Sequence, residues 1–254
     1  NIALIAAAQY LSCIFFFTSR PPDFSVLTDP HFFVLVVCTW MTIAAGYIIN
    51  FFYDKNKDLV NSPVKSRIDG FVSQATTLKL YLTLNALAVA ASLYVSLRSG
   101  VFFAGFAFLL WFYSHKLKKI PLVSNLSLAA VAIVPLFAVF FYRKIVDIQV
   151  VVSHGLFLFF LLVAMSLLND LNNRRGDAVF GYRTLPVVWG ERAAASAAAA
   201  VLAAAAACTA AVLVFERGNA FFLYFLVAGA GLLCGTVALL VLPADRTFRT
   251  ILVG

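Results

Sequence analysis

The sequence predicts an all-α membrane protein, and three observations carry that reading. Of its 254 residues, 63% are apolar and only 12% are charged, too few charges to clothe the surface of a water-soluble domain. The apolar residues fall in long uncharged stretches close to the roughly 20 residues that cross a hydrocarbon core as a helix. These stretches are apolar on every side, whereas helices of a soluble domain carry a polar face.

Taken in order, the spans run from Ile2 to Phe17, Phe32 to Phe52, Phe71 to Leu97, Val101 to Tyr113, Leu122 to Tyr142, Val150 to Leu168, Ala193 to Phe215 and Ala220 to Leu242. The first lacks a basic flank and a small-residue cleavage site, so it reads as a span and not as a signal peptide. The fourth, VFFAGFAFLLWFY, is short for a full crossing and is expected to tilt little or to end inside a protein-lined cavity. The seventh is rich in alanine, whose small side chain lets helices approach closely. The tail FRTILVG reads as the start of a ninth span, and a first residue other than Met suggests a trimmed front. No linker interrupts the series, so residues 1–254 are expected to form one integral membrane domain of eight visible helices and a truncated ninth.

Alternate connections divide the basic residues unequally. One group holds Lys55, Lys57, Lys65, Arg67, Lys79, Lys116, Lys118, Lys119, Arg174, Arg175, Arg183, Arg192, Arg246 and Arg249; the other holds only Arg20, Arg98, Arg143, Lys144 and Arg217. By the positive-inside rule the first group, with the N-terminus, faces the cytoplasm, and in a bacterium the membrane would be the cytoplasmic one. The net charge of +8 is therefore mainly a topology signal that also favours anionic lipid headgroups. Nucleic acid is not an expected partner, because the basic residues are dispersed over separate loops. Cys13, Cys38, Cys208 and Cys234 all lie in apolar spans without paired spacing, and they read as core residues.

Chemistry is sought in the longer cytoplasmic loops. In NFFYDKNKD, Asn50, Asp54 and Asp58 stand at i, i+4 and i+8, one face of a helix that continues past its span. In NDLNNRRGD, Asp170, Asn173 and Asp177 stand at i, i+3 and i+7, again one face if the helix continues. Each set closes an even-numbered span, so both emerge on the same side. Carboxylates beside hydrocarbon are costly and suit a hard cation such as Mg²⁺, which keeps positions open for phosphate oxygens. Two such ions held by the two pairs would clamp a diphosphate. Two other readings use the same acids: they balance neighbouring lysines and arginines, or they serve a cation-coupled transporter. Transporters tend to place their acids at mid-membrane on broken helices, while these lie at helix ends beside basic loops.

The motifs resemble those of the UbiA superfamily of intramembrane prenyltransferases. NFFYDKNKD is similar to the family's N-x-x-x-D-x-x-x-D, and NDLNNRRGDAVFGYRTLPVVWG is similar to its second acidic motif with the G-x-x-T-L-P-V-x-x-G segment that follows. YSHKLKKIPLVSNL, from Tyr113 to Leu126, resembles Y-S-x-x-L-K-x-x-P-L-x-x-N, and NIALIAAAQYL resembles the first helix. The resemblance implies nine transmembrane helices around a central cavity capped on the cytoplasmic side. Phe51 stands where many members have Asp, Asn173 where many have a middle Asp, and NSPVKSR replaces the usual N-R-P, leaving Lys65 or Arg67 for the missing arginine. The family aspartates Asp54, Asp58, Asp170 and Asp177 remain, so two Mg²⁺ ions are still expected.

The resemblance implies a prenyl diphosphate as donor, with its tail in the cavity and its headgroup on the metal, and a lipophilic or aromatic acceptor. Lys118, Arg67 and Arg183 would add charge at the leaving group, and Asn50, which could otherwise cap a helix turn, would with Asn173 bind the metal-linked phosphate. Tyr113 would steady an allylic carbocation. Quinone precursors and other aromatics, tetrapyrroles and glycerol-phosphate lipids all remain open as acceptors. A CDP-alcohol phosphotransferase would need a D-x-x-D-G-x-x-A-R string, which does not occur. Asn125 and Ser114 read as residues that satisfy nearby backbone, and His115 as a solvated surface residue.

Overall fold

The structure, a computed structural model, describes residues 2–16, 24–61, 73–139, 148–215 and 221–241, all of whose regular elements are helices. Helix α1 (Ile2–Leu11) runs into a π-helical turn, Ser12–Phe16. A 3₁₀ turn, Phe24–Thr28, leads to α2 (Pro30–Asn61). Asp29 caps α2: its Oδ1 accepts from the amides of His31 at 2.7 Å and Phe32 at 3.0 Å, while Pro30 fills the first helical position, where no amide is needed.

Helix α3 (Gln74–Val95) starts at Ser73, whose hydroxyl accepts from the Thr76 amide, and α4 (Leu97–His115) follows after one residue. That residue, Ser96, has extended backbone; its amide closes α3 on Ser92 O at 3.1 Å and its hydroxyl accepts from Ser99 N at 3.1 Å to open α4. The fourth span is therefore not the short segment from Val101 that the apolar run suggested. Arg98, Ser99 and Gly100 look like a loop in sequence but form its first turn, and the apolar stretch reaches Leu97–Lys119.

Helix α5 (Val123–Phe137) carries Pro135; α6 (Ile148–Val179), a helical turn at Leu185–Val188, α7 (Gly190–Phe215) and α8 (Phe221–Val241) complete the described chain. Six of these helices, α2, α3, α4, α6, α7 and α8, are long and apolar enough to cross a membrane, and α1 and α5 carry shorter apolar stretches, Leu4–Phe15 and Val123–Phe137. The tail that resembles a ninth span lies outside the described residues.

The chain forms two compact units, Asn1–Lys116 with Ile133–Asp147, and Leu117–Ala132 with Ile148–Gly254. In the first, α2 packs on α3 and α4 around Ala45, Ile49 and Tyr81, with Phe52, Tyr53 and Trp111 against them. Gln9, fully buried, donates from Nε2 to Thr39 Oγ1 at 3.0 Å and to Pro135 O at 2.8 Å. Such bonds join helices where lipid is as apolar as the side chains and burial alone gives little preference for protein contact. In the second unit α7 packs on α6 and α8. Leu167, Leu168 and Leu171 of α6 meet Ala194 and Ala198 of α7, and a Cβ on Gly229 of α8 would collide with Thr209 Oγ1, so the alanine and glycine positions set the close approach. None of the four cysteines forms a disulfide, and Cys234 is exposed on α8, outside the core expected for it.

Candidate functional site

Helix α2 is continuous from Pro30 to Asn61, so Asn50, Asp54 and Asp58 lie on a single helix. Asp54 is buried, 7% exposed, and Asn50 is half-buried. Aromatic rings surround this end of the helix. Tyr53 lies edge-on to Phe52 at 5.4 Å and against His115 at 5.3 Å, and His115 stacks on Trp111 at 5.4 Å with 4° between the rings. His115 is exposed as expected, yet it extends a ring cluster that the sequence reading did not assign to it. Tyr113 is half-buried and Ser114 buried in the last turn of α4. Lys65 and Arg67 lie outside the described residues.

Helix α6 likewise runs past its apolar segment, from Ile148 to Val179, and carries Asp170, Asn173 and Asp177 on its extension. Asp177 is 1% exposed, Asp170 half-buried and Asn173 exposed. A Schellman cap ends the helix directly after them. Tyr182 N donates to Asp177 O at 2.9 Å and Gly181 N to Ala178 O at 3.4 Å, with Gly181 at φ +69°. Glycine adopts that left-handed backbone without the Cβ clash that other residues suffer. Arg183 follows, exposed, and Thr184 opens the turn Leu185–Val188. Arg174 Nη1 donates to Glu191 Oε1 at 2.8 Å, joining the acidic segment to the first turn of α7. A carboxylate there also sits favourably at the positive end of the α7 dipole.

Asp170 is held from α5. Asn125 Nδ2 donates to Asp170 Oδ2 at 2.8 Å and to Ser166 Oγ at 2.9 Å. Asn125 therefore does not satisfy nearby backbone, as its position beside a loop suggested; its partners lie 41 and 45 residues away. Spacing within a loop cannot reveal such a contact, although the resemblance had already included this Asn in a motif. Lys118 is half-buried on the 3₁₀ turn Leu117–Lys119. Between them Leu122 adopts φ +62°, with Val123 N donating to Pro121 O at 2.7 Å across it. A three-residue turn of this hand costs a branched residue on the order of 1–3 kcal/mol, and it persists only where the surroundings fix it.

Among the described residues, no three acidic, histidine or cysteine side chains converge on one point as a metal cage would require. The carboxylates Asp54, Asp170 and Asp177 are instead spaced along the ends of α2 and α6. That set suits a cation which takes one or two carboxylates and leaves its other positions to water and phosphate oxygens, the habit of Mg²⁺ and not of Zn²⁺.

The family model described as "UbiA prenyltransferase family" matches residues 9–249. The digeranylgeranylglyceryl phosphate synthase of Thermococcus sibiricus is 28% identical over 158 residues, 62% of this chain and 54% of that protein. Its namesake from Thermococcus gammatolerans is 31% identical over 153 residues, covering 59% and 54%, and that of Methanospirillum hungatei is 28% identical over 207 residues, covering 76% and 69%. The matched chain spans about half the length of the two Thermococcus relatives. Among solved structures, one concerned with digeranylgeranylglyceryl phosphate synthase in membranes superposes with a TM-score of 0.75 at 17% identity, covering 99% of this chain and 86% of that one. A UbiA homologue from Archaeoglobus fulgidus bound to DMAPP and Mg²⁺ gives 0.72 at 16% identity, covering 99% and 92%. At such identities the likeness is one of fold.

Proposed function

Because the chain belongs to the UbiA prenyltransferase family, we propose that it is a Mg²⁺-dependent intramembrane prenyltransferase, moving a prenyl group from an allylic prenyl diphosphate to a glycerol-phosphate lipid. The observation that carries the reading is the pair of long helices, each extended beyond its apolar segment to present a buried carboxylate, Asp54 on α2 and Asp177 on α6. A buried carboxylate is costly in apolar surroundings, and a bound cation offsets that cost. The same reading takes residues 1–254 as one domain of nine spans around a central cavity, with the N-terminus and the site on the cytoplasmic side.

In this mechanism Asp54, Asp58, Asp170 and Asp177 hold Mg²⁺, flanked by Asn50 and Asn173. When bound, the metal neutralises the diphosphate and makes it a better leaving group. The remaining work belongs to the chain. Lys118, Arg183 and Arg67 supply cationic donors to the departing oxygens, where charge develops as the carbon–oxygen bond breaks. The electron pair leaves with the diphosphate. The allylic cation that remains is steadied by the face of Tyr113 and kept from water by apolar walls. An acceptor hydroxyl oxygen attacks the cation at C1, an ether bond forms, and the hydroxyl proton passes to the diphosphate or to water.

The relatives' names, which describe a glyceryl phosphate bearing two geranylgeranyl chains, support this acceptor. The family match also removes the support for a transporter. The test is transfer of labelled geranylgeranyl groups by the purified protein in vesicles with Mg²⁺, offered geranylgeranylglyceryl phosphate and 4-hydroxybenzoate side by side. Label in a doubly prenylated glycerol phosphate is the expected result. Label only in the aromatic acid would move the acceptor to quinone precursors, and transfer to neither, across several prenyl lengths and further acceptor classes, would overturn the reading.

A further inference from the structure

Asn125 stands where a short polar side chain meets every hydrogen-bonding demand in one way only. Its two amide hydrogens reach Ser166 Oγ at 2.9 Å and Asp170 Oδ2 at 2.8 Å, while its Oδ1 accepts from Ser124 Oγ at 3.4 Å. Turning the amide over would set two oxygens against each other at the aspartate, so the donor's direction is fixed by chemistry. The residue is 1% exposed, and Ser166 and Ser124 are buried beside it, so water does not compete for the bond between Asn125 and Ser166. On one side the amide touches the acidic segment of α6; on the other it begins α5 just after the tight turn at Leu122 and the 3₁₀ turn carrying Lys118. Ser124 N donates to Ile120 O at 3.0 Å and Leu126 N to Leu122 O at 3.1 Å, so backbone bonds tie the loop to the start of the helix.

From this geometry we infer that Asn125 is a positioning residue of the diphosphate site, fixing the direction of the Asp170 carboxylate and the register of the Lys118 turn against it. The inference rests on the functional reading above. A carboxylate held by a directed donor presents a defined direction to a metal, and outer partners of this kind change metal affinity by about 10–100-fold when removed. Asn125 does not touch the reacting atoms; it acts through Asp170 and through the loop.

The experiment is binding of an unreactive geranylgeranyl thiolodiphosphate to the purified protein as Mg²⁺ is titrated, together with thermal unfolding of each variant. For Asn125→Ala the half-saturating Mg²⁺ is expected to rise about ten-fold or more, with binding recovered at high Mg²⁺ and the unfolding midpoint close to wild type. Ser166→Ala is expected to raise it less, and to add little in the Asn125→Ala background, because Ser166 acts on the carboxylate through Asn125. If Asn125→Ala does not fold, Asn125→Asp decides, being the same size but unable to donate. It is expected to bind the analogue more weakly at the wild-type half-saturating Mg²⁺, and equal or tighter binding overturns the inference. Wild-type binding that needs Mg²⁺, with an unchanged requirement in folded Asn125→Ala, overturns this inference alone. No Mg²⁺-dependent binding by the wild type overturns it together with the functional reading.

Discussion

Helices α2 and α6 are both 32 residues long and both carry acids on an extension beyond the apolar segment, but they are supported differently there. On the α2 extension a ring cluster runs through Phe52, Tyr53, Trp111 and His115, with Tyr81 in the core beside it. On the α6 extension Asn125 bonds Asp170 and Ser166, Arg174 pairs with Glu191, and a Schellman turn at Gly181 follows Asp177. The first is a set of broad ring contacts and the second a set of directed bonds. Aromatic contacts are broad and tolerate small displacements, whereas hydrogen bonds weaken steeply with angle. Asp170 is thus directed by its bond from Asn125, and the α2 end is the one that truncating a ring should disturb.

That contrast can be broken or sharpened by substitution. Replacing Asp54 or Asp177 by Ala should have the largest effect, lowering prenyl transfer by on the order of 10²-fold or more, the scale seen when one preorganised charge-stabilising group is lost. Turnover assays check it, and a residual rate near wild type for either would remove that helix from the site. Tyr81→Ala should come next, costing about 2 kcal/mol in thermal unfolding; this is less than the 3–5 of a water-soluble core, because packing and not water exclusion is lost. Its effect on activity should track Asp54 and leave the Mg²⁺ dependence that depends on Asn125 unchanged.

Gly181→Ala should cost about 1–2 kcal/mol from its left-handed backbone alone, since an added Cβ there meets nothing within 4 Å. Because the cap sits directly after Asp177, a loss of donor binding larger than the stability change would show that the cap also aims this carboxylate. The smallest effect is expected for Arg174→Ala. With both partners more than 40% exposed, the ion pair is worth no more than about 1 kcal/mol, and less at high salt.

The contrast also explains what the sequence made legible. Periodicity is local, so the eight apolar segments and the continuation of α2 and α6 through their acids could be read from spacing alone, and the structure places Asn50, Asp54 and Asp58 on one continuous helix. The corner at Ser96 was hidden because one extended residue that caps two helices leaves no loop of its own, and Arg98 resembled a boundary. Asn125, Ser166 and Glu191 were missed for a different reason. Their importance lies in partners distant in sequence or on another helix, and a polar residue beside a loop has many uses that spacing does not separate. Placing the acids on continuous helices needed only one helix at a time; finding what bonds to Asp170 needed the packing of α5 on α6.

The most direct test of the account is binding of labelled geranylgeranyl diphosphate to the purified protein, with Mg²⁺ and with chelator, for wild type, Asp54→Ala and Asp177→Ala. The account predicts binding that requires Mg²⁺ and is lost or strongly weakened in both variants. Binding indifferent to the metal and to both aspartates would contradict it.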